Sequence, residues 1–220
     1  MNWKAIFFDL DGTLVETAPE IADAVNDTLL HFNFPAVCQS EVDRWIGHGT
    51  RDLLIQALAK ANAQSVAEVR GGDLLREALP IFDRYYQQRC GTRSTLYPHV
   101  RDTLEHLHEI NCRLAIVTNK ESRYTDTLLR AHHLTSAFDL VISGDTFSTK
   151  KPDPVGVLHG LRLWQVDTAH ALFVGDSSID AATARQAGIQ VWLLPYGYNM
   201  GEPVTTCQPD RVIANFSELL

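Results

Sequence analysis

Cysteine is scarce and scattered in this 220-residue chain. Its four cysteines, Cys38, Cys90, Cys112 and Cys207, form no Cys-x-x-Cys pair. Zinc sites and dithiol redox motifs usually bring two cysteines within a few residues of each other, so neither is expected here. We predict reduced, partly buried thiols and assign them no role.

Basic residues are outnumbered by acidic ones. Lysine and arginine total 19 against 27 aspartates and glutamates, which gives a formal net charge of −8. Surfaces that bind nucleic-acid phosphates normally show a basic excess or a stripe of Lys and Arg, and no such stripe is visible. The sequence therefore argues against a nucleic-acid partner.

Long apolar runs are missing as well. No segment is long enough to span a bilayer, and residues 1–4 (MNWK) lead into the first predicted strand without the features of a signal peptide. We therefore predict a cytoplasmic protein with no membrane partner. The nine histidines show no His-x-x-x-His spacing, so a helical zinc site is not expected either.

The pattern of apolar residues divides the chain into two kinds of structure. Residues 5–8 (AIFF) form a continuous apolar run, typical of a parallel strand buried on both faces. From about Glu16 to Arg89 only helical spacing is visible, with Thr17 and Glu20 placed to form a capping box. From Leu96 onward, short apolar strands alternate with helices as in βαβ units. We predict an α/β fold with a parallel-sheet core from residues 1–15 and 91–220 and an all-helical insertion at 16–90.

Two carboxylates follow the first predicted strand directly. Asp9 and Asp11 project to the same side of an extended segment, close enough to share a cation or to divide the roles of nucleophile and acid. Gly12 then allows a tight turn. Taken alone, the same residues are equally compatible with an Asp-Gly hairpin turn.

Polar residues also follow two later strands. Thr118 and Asn119 come after an apolar run at 114–117, and Asp176 and Asp180 come after another at 171–174. Right-handed crossovers bring such strand ends to one edge of a parallel sheet, where open α/β folds bind their ligands. Clustered carboxylates repel one another unless a proton, a basic partner or a metal intervenes, and an all-oxygen site suits Mg²⁺. Lys150 and Lys151 supply a candidate cation between these strand ends.

These motifs, in this order, resemble those of the haloacid dehalogenase superfamily. The four motifs are DLDGT at 9–13, TN at 118–119, KP at 151–152 and GDSSID at 175–180. Within the superfamily the chain looks most like bacterial phosphoglycolate phosphatases. That narrower resemblance comes from WIGHG at 45–49, LYP at 96–98, VTNK at 117–120, KKPDP at 150–154, FVGDS at 173–177 and YGYN at 196–199.

The resemblance implies a Rossmann-like core whose helical insertion is a cap, and Mg²⁺-dependent hydrolysis of a small phosphorylated metabolite through an aspartyl-phosphate. It implies that Asp9 attacks phosphorus and that Asp11 protonates the leaving alkoxide and later takes a proton from water. The nucleophile's role suits an ionised carboxylate beside a metal. The superfamily motifs do not define the leaving group, and the oligomeric state, monomer or homodimer, is open.

The resemblance also assigns the supporting residues. It implies that Asp9, Asp176 and the Asp11 carbonyl hold Mg²⁺, with Asp180 orienting that shell and Lys151. The predicted phosphate-binding residues are Thr118, Asn119 and Lys151; Lys151 is preferred over Lys150 because the motif pairs the lysine with the following proline. Gly12 and Thr13 complete the first motif. The cap residues that we expect near the leaving group are Gly47, His48, Gly49 and Arg51.

Several interpretations remain open. For His48 a structural role is slightly favoured, and Arg51 is equally compatible with a surface position. Glu16 replaces the aspartate more usual in this group, and we interpret it as a solvated carboxylate at the hinge of the cap. Our first hypothesis is a phosphatase acting on 2-phosphoglycolate; the alternative is a phosphatase or mutase for a sugar or amino-sugar phosphate. A non-catalytic phospho-acceptor module ranks lower, because it would need neither Asp11 nor the helical insertion.

Overall fold

The computed structural model describes residues 3–220; Met1 and Asn2, which begin the first predicted core segment, lie outside the described residues. The strands, in chain order, are β1 (Ala5–Phe8), β2 (Val15–Glu16), β3 (Thr95–Leu96), β4 (Arg113–Val117), β5 (Leu140–Ile142), β6 (Ala171–Gly175), β7 (Gln190–Leu193) and β8 (Arg211–Val212). Six of them form one parallel sheet in the order β5-β4-β1-β6-β7-β8.

The helices, in chain order, are α1 (Ala18–His31), α2 (Gln39–Val42), α3 (Thr50–Ala61), α4 (Val66–Gly71), α5 (Asp73–Arg89), α6 (Val100–Glu109), α7 (Ser122–Ala131), α8 (Val155–Trp164) and α9 (Ser178–Ala187). Short 3₁₀ turns cover Thr168–His170, Val204–Cys207 and Phe216–Leu219. The predicted α/β class with a parallel sheet is confirmed.

Strand β1 lies in the middle of the sheet because its residues are apolar on both faces. It pairs with β4 and β6, so that Phe8 lies beside Ile116 and Val174. Ile6 and Phe8 pack in the core on one face, while Ala5 and Phe7 pack in the core on the other. Asp9 directly follows the carboxyl end of β1, which therefore lies between the carboxyl ends of strands β4 and β6.

The chain between β2 and β3 is helical, and α1 packs mainly against α5. Strands β2 and β3, which were not predicted from the sequence, form a two-stranded antiparallel ribbon in which Val15 faces Leu96 and Glu16 faces Thr95. Strands of two residues carry too little periodicity to be recognised. This ribbon is where the helical segment leaves and rejoins the sheet.

The predicted capping box at the start of α1 is wrong. Thr17 is at the N-cap position, but its hydroxyl makes no capping hydrogen bond and instead donates to Asp11 Oδ1 at 2.6 Å. The fully buried Glu20 carboxylate accepts backbone N–H bonds from Gly91, Arg93 and Ser94 at 2.9–3.2 Å. Glu20 thus joins α1 to the segment that leads back into β3.

Across residues 3–220, no helix combines the length and the apolar character needed to cross a bilayer. The four cysteines are unpaired; Cys38 is exposed, and Cys90, Cys112 and Cys207 are buried.

Candidate active site

Asp9 is held at the end of β1 by its own backbone and by a lysine. The Asp9 Oδ1 atom accepts the Leu10 N–H at 2.7 Å and lies 2.8 Å from Lys151 Nζ. Burial raises the pKa of Asp9 to about 6, although Lys151 opposes this shift. Both partners contact Oδ1, so Oδ2 is the oxygen available to a ligand.

Lys151 is 4% exposed and lies between two carboxylates. Its Nζ is 2.7 Å from Asp180 Oδ1 in addition to its contact with Asp9. Burial alone would lower the pKa of Lys151, but Asp180 and Asp9 raise it above its ordinary value, so the ammonium stays charged. Lys151 was preferred over Lys150 from the sequence, and the structure places Lys151 against the two carboxylates.

Asp180 has its own set of donors at the start of α9. Its Oδ2 accepts N–H bonds from Asp176 at 3.1 Å and Ser177 at 3.0 Å, and the Ser177 hydroxyl at 2.7 Å. This is a capping box, with Ser177 at the N-cap and Asp180 three residues later. Asp180 thus caps α9 and binds Lys151, which fits the supporting role predicted for it.

Asp176 completes an acidic cluster at the end of β6. Its Oδ1 accepts the Thr13 hydroxyl at 2.6 Å and its Oδ2 accepts the Tyr198 N–H at 2.5 Å. Burial, followed by the charges of Asp180 and Asp9, raises the pKa of Asp176 well above its ordinary value. The first motif thus contributes Thr13 directly, and Tyr198, which belongs to the YGYN stretch quoted above without a role, is the second partner of Asp176.

The cluster has the donor set of a site for a hard cation. Oxygen atoms of Asp9, Asp176 and Asp180 lie within 4.8 Å of one another, and all three residues are buried. The raised pKa values of Asp9 and Asp176 mean that burial disfavours their ionised forms, and a divalent cation would offset this cost. Oxygen atoms are also the ligands that Mg²⁺ prefers. The residues present therefore fit the predicted metal, with Asp9 and Asp176 as candidate ligands and Asp180 in the same cluster.

Asp11 is bound by a lysine that the sequence analysis quoted but to which it gave no role. Lys120 Nζ lies 2.9 Å from both Asp11 oxygens, and Thr17 Oγ1 donates to Oδ1. Burial would lower the pKa of Lys120, but Asp11 raises it. A signal for Lys120 was available, since it follows Thr118 by two residues at the polar edge of the sheet. Nothing in the pattern at 17 could have shown that Thr17 binds Asp11 rather than its own helix.

Thr118 and Asn119 occupy the end of β4 with different hydrogen bonds. Thr118 Oγ1 accepts the Lys120 N–H at 3.2 Å, which leaves its hydroxyl proton to donate. The Asn119 amide nitrogen donates to the carbonyls of Gly47 at 2.9 Å and Lys151 at 3.0 Å. Asn119 thus connects the helical segment to the loop that carries Lys151, and its buried Oδ1 has no hydrogen-bond partner among residues 3–220.

A pocket lies between the sheet edge and the helical segment. Its sheet side is formed by Asp9, Asp11, Thr118, Asn119 and Lys120, and its helical side by Ile21, Ile46, Gly47, Gly49, Thr50, Leu53 and Tyr86. It is concave, largely apolar on the helical side and strongly polar on the sheet side. Such a pocket can hold a small molecule whose charged end lies against Asp9.

Of the four predicted cap residues, two line this pocket and two do not. Gly47 and Gly49 line it, whereas the side chains of His48 and Arg51 are exposed and are absent from its lining. The His48 carbonyl accepts a hydrogen bond from Lys150 Nζ at 2.6 Å. Glu16 is exposed on β2, where it accepts the Thr95 hydroxyl at 3.3 Å.

Comparisons with known proteins agree with this geometry. Residues 6–194 match the model of the family described as haloacid dehalogenase-like hydrolase. A phosphoglycolate phosphatase of Aliivibrio fischeri is 40% identical over 217 residues, which cover 99% of this chain and 95% of that protein. One from Nitrosospira multiformis is 38% identical and covers 98% and 93%. A crystal structure described as a predicted phosphoglycolate phosphatase from Haemophilus somnus superimposes with a TM-score of 0.91 at 32% identity, covering 100% of this chain and 97% of that one.

Proposed function

The chain belongs to the haloacid dehalogenase-like hydrolase family, and from that premise we propose that it is a Mg²⁺-dependent phosphatase that converts 2-phosphoglycolate to glycolate and phosphate. The observation that supports this best is the convergence of Asp9 and Asp11 with Lys151 and Asp176 at one edge of the sheet. The names of relatives 36–40% identical over nearly the whole chain support the substrate.

In the first half-reaction an Asp9 oxygen attacks phosphorus, and the bond from phosphorus to the ester oxygen breaks. Oδ2 is suited to this because Lys151 and the Leu10 N–H hold Oδ1. This role requires Asp11 to be protonated when the ester binds, so one of its two contacts with Lys120 must open at that stage. Asp11 then gives that proton to the departing alkoxide, and glycolate leaves as the alcohol. The phosphoryl group remains on Asp9 as an acyl phosphate.

In the second half-reaction water attacks the phosphorus of that acyl phosphate. Asp11, now ionised, takes a proton from the water, and the Asp9 carboxylate is released with inorganic phosphate. Lys120 and Thr17 hold Asp11 in place through the cycle. Each half-reaction therefore ends with the charges and protons that the next one needs.

The phosphoryl oxygens carry spread negative charge and need fixed donors. Thr118 offers its hydroxyl and Lys151 its ammonium, and preorganised donors of this kind each lower a barrier by roughly 3–4 kcal/mol. The metal held by Asp9, Asp176 and the Asp11 carbonyl would supply further charge neutralisation. The remaining side of the pocket receives the leaving group.

A panel of phosphomonoesters tests this proposal. Purified protein with Mg²⁺ is assayed for phosphate release from 2-phosphoglycolate and from hexose, pentose and amino-sugar phosphates, with Asp9→Asn as the inactive control. We expect the highest kcat/KM for 2-phosphoglycolate. A large preference for a sugar phosphate would refute the substrate while leaving the mechanism in place, and normal turnover by Asp9→Asn would refute the nucleophile.

A further inference from the structure

Lys120 has a hydrogen-bonding capacity that Asp11 does not exhaust. Its side chain is only 4% exposed, and two of its contacts go to Asp11 Oδ1 and Oδ2. An ammonium group carries three donors. A buried, charged donor beside the pocket is therefore available to a further acceptor.

Tyr86 offers a second donor in the same pocket. It reaches the pocket from α5, is 0% exposed, and its ring centroid lies 5.1 Å from Lys120 Nζ. Within residues 3–220 the buried Tyr86 hydroxyl makes no hydrogen bond to an oxygen or nitrogen atom, and the Cys90 thiol beside it is only a weak hydrogen-bonding group. An unpaired buried hydroxyl is unfavourable, and a ligand oxygen that accepts its hydrogen bond would remove that cost. Burial, together with the charge of Asp11, raises the pKa of Tyr86, so this group remains a neutral donor.

The other residues around these two donors narrow the chemistry of the ligand. Ile21, Ile46 and Leu53 form apolar walls, and Lys120 is the one Lys or Arg in the lining that the structure describes. Arg51 is exposed outside it, and Lys150 binds the His48 carbonyl. Of the hydroxyls in this lining, that of Thr50 donates to Glu121 and that of Thr118 is assigned to the phosphoryl group, which leaves Tyr86. The Lys120 ammonium and the Tyr86 hydroxyl beside these apolar walls suit a small anion with two oxygens.

The position of Asp11 determines which part of the substrate must carry this anionic group. Because Asp11 protonates the leaving oxygen, that oxygen must come within hydrogen-bonding distance of its carboxyl group. Lys120 Nζ is already 2.9 Å from the same carboxyl group. A carboxylate on the carbon next to the leaving oxygen therefore lies beside Lys120.

We propose that Lys120 Nζ and Tyr86 Oη bind the carboxylate of the substrate and so select phosphate esters of 2-hydroxy acids over uncharged esters. This rests on the proposed function, since it requires that Asp11 be the acid of a phosphomonoesterase. It gives Lys120 a second role beside that of positioning Asp11. The two roles are separable, because positioning affects every ester and carboxylate binding affects only the charged ones.

The test compares 2-phosphoglycolate with 2-phosphoglycolamide, a neutral ester of nearly the same shape, by kcat/KM with Mg²⁺. We expect Lys120→Met to reduce the preference for the acid by roughly 10–150-fold, the factor that corresponds to one hydrogen bond to a charged group. Tyr86→Phe keeps the ring and should reduce the same preference by roughly tenfold. Lys150→Met, which removes a lysine outside the pocket, should leave the ratio unchanged.

Each result has a distinct meaning. Equal losses on both esters in Lys120→Met, with no change of ratio in Tyr86→Phe, would overturn the carboxylate site. Should Lys120→Met fail to fold by circular dichroism, the ratio in Tyr86→Phe decides alone. The wild-type protein separates this inference from the proposed function, because absence of turnover with both esters would refute the proposed function itself.

Discussion

Replacing Asp180 by alanine should lower the free energy of unfolding of the protein, in addition to any effect on activity. The side chain is fully buried, and its Oδ2 accepts the Asp176 and Ser177 N–H groups. Alanine leaves both amides without their acceptor at the start of α9. Lys151 keeps Asp9 as a partner at 2.8 Å, so its ammonium is not stranded.

The magnitude follows from these contacts. Two unsatisfied buried N–H groups cost roughly 1–3 kcal/mol each, or about 2–6 kcal/mol together. Removing one of three clustered carboxylates relieves some repulsion and offsets part of that loss. We expect a net loss of about 3 kcal/mol in the free energy of unfolding, which for a chain of this size lowers Tm by roughly 6–12 °C.

The assay is urea and thermal unfolding in EDTA, with Asp145→Ala as the matched control. Asp145 is exposed and accepts the Ser122 N–H and hydroxyl at the start of α7, both at 2.9 Å. Its removal should cost about 1 kcal/mol, typical of an exposed cap. Equal losses in the two variants would show that burial of Asp180 adds nothing, which would refute the reasoning.

Three further predictions concern the acidic cluster. Because burial raises the pKa of Asp9 to about 6, protons should compete with Mg²⁺ for this carboxylate below that pH. Calorimetric titration should therefore show the Kd for Mg²⁺ rising as the pH falls from 7 to 5. A Kd that stays constant over this range would contradict the prediction. The pKa of Asp9 is about 6 in the folded protein and 3.8 in its ordinary state, so between these pH values the folded protein holds the proton more tightly than the unfolded chain. In EDTA, stability should therefore fall as the pH rises from 3.8 towards 6, and Asp9→Asn should reduce this slope. Gly12→Ala should cost more than about 2 kcal/mol and weaken Mg²⁺ binding, since at φ +81° its Cβ would lie 2.5 Å from Asp176 Oδ2. Gly188→Ala, at φ +72° with open space around it, is the control for backbone strain alone, and an equal loss there would exclude the steric explanation.

The sequence predicts the parts of the site that depend on topology. Residues 5–8 read as a buried strand, and β1 occupies Ala5–Phe8 in the middle of the sheet. Asp9, Thr118 and Asp176 follow three adjacent parallel strands, so that their proximity follows from the βαβ connections alone. Periodicity and strand-end polarity carry this information because both are local in the chain.

The contacts between side chains distant in sequence were not predictable in the same way. Thr17 and Glu20 have the spacing of a capping box, yet Asp11 and the backbone at 91–94 bind them instead. Lys120 and Tyr86 belong to separate helical and strand-end patterns, and only the packing of α5 over the sheet edge brings them together. Competition among possible partners is decided by the tertiary structure, which no single window of sequence contains.

The central claim is that Asp9 becomes phosphorylated during turnover. The direct measurement is an acid quench of the Mg²⁺-loaded wild-type protein turning over 2-phosphoglycolate, followed by peptide mass spectrometry. We expect one added phosphoryl group on the peptide that contains Asp9, and none in Asp9→Asn treated in the same way. Phosphate release without that modification, or a phosphoryl group found on a different residue, would contradict it.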